Sequence, residues 1–352
     1  MNVLIVQRQS LVSGACFSLS VYARIIEAMD WLRDMNYLQY AVCNENDPTI
    51  FRILQWAHVV IFCKHISSLA LKIAQKAHEY GCITLLDIDD WIFTFPKYSG
   101  GCLQGDVRKT NICNMLDSVD IITVANEHLK NEISKICNNV TLIPNGIYVE
   151  RYPELNMEEQ YPPRVIFTNA DFLKICNFKH EFLRVLQDFS NTYPQVIFDF
   201  YGDPFPEIYS LPFMHYTCRT PYSDYIDCLA NSGYCFAVTP LGGNEDPDDL
   251  HFNCCKNPFK YLNYGLAGIP GIYSNVSIYS QCVKDKITGL LVENSYAAWF
   301  HGLEEMLYNQ NLRNSIRQDA YHDIVSNYHI KKSALLFFKL FTKNNLLYLN
   351  QG

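Results

Sequence analysis

Residues 252–274 read FNCCKNPFKYLNYGLAGIPGIYS. Asn257 followed by Pro258 predicts a helix start, with Asn as the N-cap and Pro at the first helical position. Phe259, Leu262 and Leu266 recur at helical spacing and give that helix an apolar face. Lys256, Lys260, Asn263 and Ala267 lie three or four residues apart, so a polar stripe with two ammonium groups occupies another face. Gly265 and Gly268 allow a close approach and a helix stop, Pro270 cannot continue the helix, and a strand over Gly271–Tyr273 follows. A short helix that offers its N-terminus and two lysines between strands suits a doubly charged phosphate. The same pattern also describes an amphipathic helix with a solvated lysine face. The surrounding chain has to decide between them.

Upstream of that stretch, Arg164–Phe167 (RVIF) begins a strand that ends at Thr168-Asn169-Ala170-Asp171, with Lys174 and Lys179 leading into a helix over Glu181–Thr192. Strands are expected at Val196–Tyr201 and Tyr234–Val238, a helix at Tyr222–Asn231, and a glycine-rich acidic loop at Thr239–Asp249. Downstream come a strand or hairpin at Ile287–Val292 and helices at Tyr296–Tyr308, Leu312–Tyr328 and Lys331–Leu349.

The first half alternates in the same way. Val3–Val6 is a short continuous apolar run, the mark of a strand buried on both faces. A polar turn ending in Ser13-Gly14 and a helical stretch over Phe17–Met35 follow, which is the opening of a nucleotide-binding βα unit without GxGxxG. Strands at His58–Cys63, Cys82–Asp87, Ile121–Val124 and Thr141–Ile143 alternate with helices at Ser67–Tyr80, Val107–Val119 and Glu127–Ile136. Such alternation implies parallel sheets with helices on both faces. The expected fold is therefore α/β, with two doubly wound Rossmann-like units facing across a cleft. Residues 1–150 form the first, 151–330 the second, and 331–352 a helix crossing back to the first. Pro144-Asn145-Gly146 reads as a turn in which Asn or Gly takes positive φ, and the polar stretch to Pro163 reads as the linker.

In such sheets function gathers beyond the carboxyl ends of the strands. One segment there is Asp87, Asp89 and Asp90 in DIDDW, where three carboxylates in four residues require a compensating partner or function. A divalent metal, a general-base role toward an acceptor hydroxyl, and a helix cap or solvated turn are the three readings.

Composition narrows the classes. A chain of 352 residues exceeds the roughly 250–300 at which single cores stop growing. A formal net charge of −8 argues against a broad nucleic-acid footprint. No apolar run reaches the ~20 residues that span a bilayer, although a peripheral membrane contact stays open, and MNVLIVQRQ has the reverse polarity of a signal peptide. The 14 cysteines contain no C-x-x-C, which speaks for reduced thiols in a cytoplasmic protein and against a zinc motif or a disulfide framework.

LIPNGI (142–147), CKNPFKYLNYGLAGIP (255–270), ITGLLVEN (287–294) and LRNSIRQDAYHDIVSNY (312–328) occur in that order. Together they resemble the group-1, family 4-like glycosyltransferases of the GT-B fold, whose second half carries K-x-x-x-K-[FY]-L-E-Y-x-x-x-G-x-P and then D-x-x-x-G-L-L-V. DIDDW resembles an element of bacterial and viral members acting on surface polysaccharides.

The resemblance implies sugar transfer from a nucleotide-sugar donor to a glycan or glycolipid-type acceptor, usually with retention and with no required metal, though a divalent ion is not excluded. It places Lys256 and Lys260 at the donor diphosphate, Lys256 acting on the departing charge. Lys174 and Asn169 are further donor-side candidates, and Gly14 lets backbone N–H groups approach the donor. Asp89 and Asp90 are the catalytic carboxylate candidates. The family's pair of glutamates eight apart stands here as Cys255 and Asn263, and Asn263 keeps hydrogen bonding to a donor hydroxyl without the charge. An inactive glycan- or nucleotide-binding module and a phage-type glucosyltransferase of DNA bases are the alternatives.

Overall fold

The computed structural model describes residues 1–8, 19–94, 96, 106–152, 154–169, 172–202, 211–217, 220–242 and 246–349. Among them the first six strands are β1 (Asn2–Gln7), β2 (Gln39–Asn44), β3 (Val59–Cys63), β4 (Ile83–Ile88), β5 (Ile121–Val124) and β6 (Val140–Leu142). The next six are β7 (Arg164–Asn169), β8 (Ile197–Gly202), β9 (Met214–Thr217), β10 (Phe236–Thr239), β11 (Gly271–Ser274) and β12 (Leu290–Val292). They form two six-stranded sheets, ordered β2-β1-β3-β4-β5-β6 and β12-β11-β10-β7-β8-β9. Every pairing between these strands is parallel.

The longer helices of the first half are α1 (Glu27–Asp34), α2 (Ser68–Glu79), α3 (Asp106–Ser118) and α4 (Glu127–Ile133). The second half carries α5 (Lys179–Thr192), α6 (Tyr222–Ala230), α7 (Pro247–Cys254), α8 (Phe259–Leu266), α9 (Tyr296–Tyr308) and α10 (Gln310–Asn327), and α11 (Ile330–Leu349) ends the chain.

Alternation along the strands divides each core into two faces. Leu4, Val6, Val60, Phe62 and Leu86 pack under Ile73 of α2, Ile112 of α3 and Leu129 of α4. Val3, Ile5, Ile61 and Leu85 pack on the opposite face with Met29 and Leu32 of α1. Ile330, Ala334, Phe337 and Phe341 join that second face. Their four- and three-residue spacing is one stripe of α11, so the last helix lies on the first sheet. In the second sheet Val165, Phe167, Phe198 and Phe200 face Phe182 and Trp299, while Ile166, Ala237 and Tyr273 face Tyr261, Leu262 and Ile324.

The chain returns to the first sheet beside β6. Ile147 donates its N–H to the Tyr328 carbonyl at 2.8 Å and accepts from the Ile330 N–H at 2.9 Å. Gly146 is needed there for closeness rather than for positive φ, since an added Cβ would lie 2.8 Å from the Ile330 Cα. Neither Asn145 nor Gly146 is among the positive-φ residues. The positive-φ helix stop expected near residue 268 is present, with Gly268 at φ 67° and the Ile269 N–H donating to the Tyr264 carbonyl at 2.8 Å.

Among the described strands and longer helices, three escaped the pattern. β2 and β9 are edge strands, and their half-exposed residues break the continuous apolar run that marks a central strand. α7 begins inside the acidic loop, where Asp246 caps it by accepting from the Asp248 and Asp249 N–H groups at 2.9 and 3.3 Å.

Candidate functional site

Polar residues in the last positions of the strands or up to three positions beyond them converge at the carboxyl ends of β3 to β6, joined by Arg24. Arg24, in the helical segment after β1, forms a two-pronged ion pair with Asp87 at 2.7 and 3.2 Å. Its remaining nitrogen donates to the Ile143 carbonyl at 2.7 Å and the Asn145 side chain at 3.0 Å. The Thr123 hydroxyl also donates to Asp87, at 2.7 Å. The pair is sealed, with side-chain exposures of 1% and 0%.

Lys64, just past β3, reaches both remaining carboxylates of DIDDW, Asp89 at 2.6 Å and Asp90 at 3.2 Å. Burial pushes the Asp89 carboxyl above its ordinary range, with Lys64 working against the shift. Burial also works against the Lys64 charge, but the two carboxylates hold its pKa above the usual lysine value. The clustered carboxylates therefore have cationic partners within the chain, and those partners are the compensation the motif demanded.

The stretch after α7 docks onto this end of the first sheet. Asn126, which caps α4 by accepting from the Leu129 N–H at 2.8 Å, donates to the Cys255 and Lys256 carbonyls at 3.1 and 3.2 Å. Asn145 donates to the Asn257 side chain at 2.7 Å, and Asn257 donates to the Asp89 carbonyl at 2.8 Å. Asn257 therefore does not cap α8. The helix begins at Phe259 with Pro258 in the cap position and no side-chain cap, because the Asn257 amide is committed to the other sheet. Cys255 goes furthest and joins the core of the first half.

From there α8 carries the same segment to the end of β7. Lys260 donates its ammonium to the Thr168 carbonyl, and the Tyr264 and Thr168 hydroxyls share a hydrogen bond. Asn263 is buried, and its side-chain oxygen accepts from the Tyr222 hydroxyl at 2.5 Å. The Tyr222 ring meets Tyr22 of the first half with centroids 5.6 Å apart. Lys256 sits over the Phe252 ring, its Nζ 4.2 Å from the centroid. Residues 255–263 thus touch the carboxyl ends of both sheets.

Two parallel sheets with this order and this bridge can be set beside known structures. HepE of Anabaena, solved with UDP-glucose, matches with a TM-score of 0.65 at 11% identity over 97% of this chain and 100% of that one. Sucrose-phosphate synthase from Thermosynechococcus elongatus matches with a TM-score of 0.62 at 12% identity, over 99% and 100% of the two chains. A glycosyltransferase from Rickettsia africae matches with 0.61 at 12%, over 98% and 99%. The fold is GT-B. No family profile and no curated protein sequence matches the chain. Identity this low carries the GT-B architecture alone.

Within the GT-B frame, Asp89 meets Asn257, the residue next to Lys256, and shares Lys64 with Asp90, while Lys260 and Asn263 stand at the end of β7. Asn169 closes β7 opposite Gly202, and Lys174 lies in the 3₁₀ segment Phe172–Phe178. The side chains of Asn169 and Lys174, and all of Gly14, fall outside the described residues. Sequence reasoning passed over Arg24, Lys64, Asn126 and Asn145 as functional positions. Each of the last three follows an apolar strand by one to three residues, a signal that was present but unread. It also missed a grouping beside the bridge, where ligand atoms of His128, His251 and Cys255 lie within 4.8 Å of one another.

Proposed function

We propose that this chain transfers a sugar from a nucleotide-sugar donor to a hydroxyl of a glycan or glycolipid-type acceptor. One observation carries the reading: residues 255–263, which include Lys256 and Lys260, run from the carboxyl ends of β4 to β6 to that of β7. The GT-B likeness to HepE, which was solved with UDP-glucose, supports it. In this proposal residues 1–150 hold the acceptor, 151–330 hold the donor, and 331–352 fasten the second unit to the first.

Lys256 and Lys260, with Lys174, meet the donor diphosphate. Asn169 and the backbone at Gly14 complete that side, and Asn263 bonds a donor hydroxyl. Negative charge grows on the departing diphosphate, so an ammonium there stabilises the transition state more than the ground state. Two or three lysines in that place make a metal dispensable, and a retaining transfer is the stereochemistry this proposal adopts from the resembling family. On the acceptor side Asp90 is the more exposed carboxylate and faces the sugar hydroxyl, while Asp89, buried and held by Lys64, positions it. A nucleotide-sugar donor and free thiols at every described cysteine fit the cytoplasm, and among the described residues no helix is long and apolar enough to cross a membrane.

Incubation with UDP-, GDP- and ADP-sugars tests the reading through thermal shift and nucleotide release. At least one donor is expected to raise Tm and release its nucleotide, and silence across the panel overturns the proposal. A second reading, a binding module without turnover, draws on Asn263 and Cys255, which bring an amide and a buried thiol where the resembling family brings glutamates. Donor binding without nucleotide release, restored by Asn263→Glu, would favour it.

A further inference from the structure

We infer that His128, His251 and Cys255 form a zinc site that ties the two halves of the molecule together. His128 lies in the first turn of α4, His251 lies in α7, and Cys255 follows α7 by one residue. The Nε2 of His128 and the Nδ1 of His251 are 3.5 Å apart, and the three ligand atoms all fall within 4.8 Å of one another. Around a tetrahedral zinc with Zn–N of about 2.0–2.1 Å and Zn–S of about 2.3 Å, neighbouring ligand atoms sit roughly 3.3–3.6 Å apart. The histidine pair already has that spacing, and the thiol, within 4.8 Å of both, needs to close by no more than about 1.5 Å to match it. Two imidazoles and a thiolate select zinc over magnesium or calcium, which prefer oxygen ligands. The fourth position is left to water or to Glu132, which stands one helical turn beyond His128 on the same face of α4. Binding converts the Cys255 thiol to a thiolate, and its proton passes to solvent.

The surroundings hold the three groups in place. Asn126 caps the helix that carries His128 and donates to the carbonyls of Cys255 and Lys256, so one amide fixes both backbones. Trp91, the last residue of DIDDW, packs its ring edge-on against His251 with centroids 4.6 Å apart. The cluster draws ligands from positions 123 residues apart in the chain, which is why cysteine spacing gave no hint of it. Metal binding here would lock the segment immediately before Lys256 onto the first sheet. The inference stands apart from sugar transfer, and its test reads metal binding only.

The full-length chain, stripped with a chelator, is titrated with Co(II) and then Zn(II). Expected are one equivalent of bound Co(II) with a thiolate-to-cobalt charge-transfer band, a rise in Tm, and loss of the band as Zn(II) displaces it. Cys255→Ser should abolish the band, and Cys254→Ser, a change at the neighbouring thiol, should keep it. His128→Asn and His251→Asn should each weaken metal affinity by at least about tenfold, since even an outer-shell partner is worth that much. A band that survives Cys255→Ser, or affinity unchanged in both histidine variants, overturns the site and leaves an ordinary hydrogen bond between two histidines. The histidine variants decide alone should Cys255→Ser fail to fold.

Discussion

The carboxyl ends of β4 and β7 are both joined to residues 255–263, and they are built from different materials. Beyond β4 the groups are ionic: Asp87 is clamped by Arg24, and Asp89 and Asp90 by Lys64. Beyond β7 they are mostly hydroxyls and an amide: Thr168 bonds Tyr264 and Tyr225, and Asn263 bonds Tyr222. A buried ion pair contributes little net stability when intact, but removing one partner strands a charge in a low dielectric. A neutral hydrogen bond costs far less to lose. The first end should therefore tolerate the loss of a partner far less than the second.

Arg24→Ala is the hardest blow to that comparison. It leaves the Asp87 carboxylate buried with the Thr123 hydroxyl as its one described side-chain hydrogen-bond donor, and should cost about 3–5 kcal/mol in urea unfolding. Replacing the pair together, Arg24→Met with Asp87→Leu, should recover most of the loss. A cost below about 1 kcal/mol for the single change would mean that this end is not held by charge.

Glu27 extends the ionic region toward the second half. It is fully buried on α1, accepts from the Tyr152 hydroxyl at 2.8 Å and the Tyr148 N–H at 3.2 Å, and is pushed by burial from 4.5 to about 7. The folded state thus keeps a proton that the unfolded chain loses, so stability is fully present below pH 4.5 and falls as pH rises through about 7. The fall should total about 3 kcal/mol. Glu27→Gln mimics the protonated form, because its amide can donate to the Tyr152 oxygen while its carbonyl accepts from Tyr148. Denaturation between pH 5 and 8 should show the slope in the native chain and a flat line in the variant.

The same contrast explains what could be read from sequence. The parallel sheets were legible because central strands are continuous apolar runs, as in Val3–Val6, and two edge strands were not because half-exposed residues such as those of Gln39–Asn44 lack that mark. The apolar face of α8 was legible from spacing, but the lysine stripe was not borne out, since Lys256 lies before the helix and Asn263 is buried. The destination of Asn257 was not: the local rule made it a cap, and the contact that won lies with Asp89, 168 residues away. DIDDW announced a need for compensation without naming the partners, since Arg24 comes from the helical segment after β1 and Lys64 from the end of β3, and only the fold brings them in.

On the neutral side, Tyr264→Phe removes one hydroxyl from the group at Thr168 and leaves Tyr225 as its remaining tyrosine partner at 3.3 Å. The expected loss is about 1–2 kcal/mol, well under that of Arg24→Ala. A loss as large as the ionic one would erase the distinction between the two ends.

Lys256→Ala should disturb the fold least and the chemistry most. The side chain is half-buried over Phe252 and belongs to a turn whose backbone is already fixed by Asn126, so unfolding free energy should change by no more than about 1 kcal/mol. If the ammonium faces the departing diphosphate, its loss removes an interaction that strengthens only in the transition state, and nucleotide release should fall by about 10²–10³-fold with little change in the apparent affinity for donor. Lys256→Arg keeps the charge and should recover part of the rate. A variant that binds donor weakly but turns over normally would assign Lys256 to ground-state binding, and one unchanged in both would move the diphosphate away from α8.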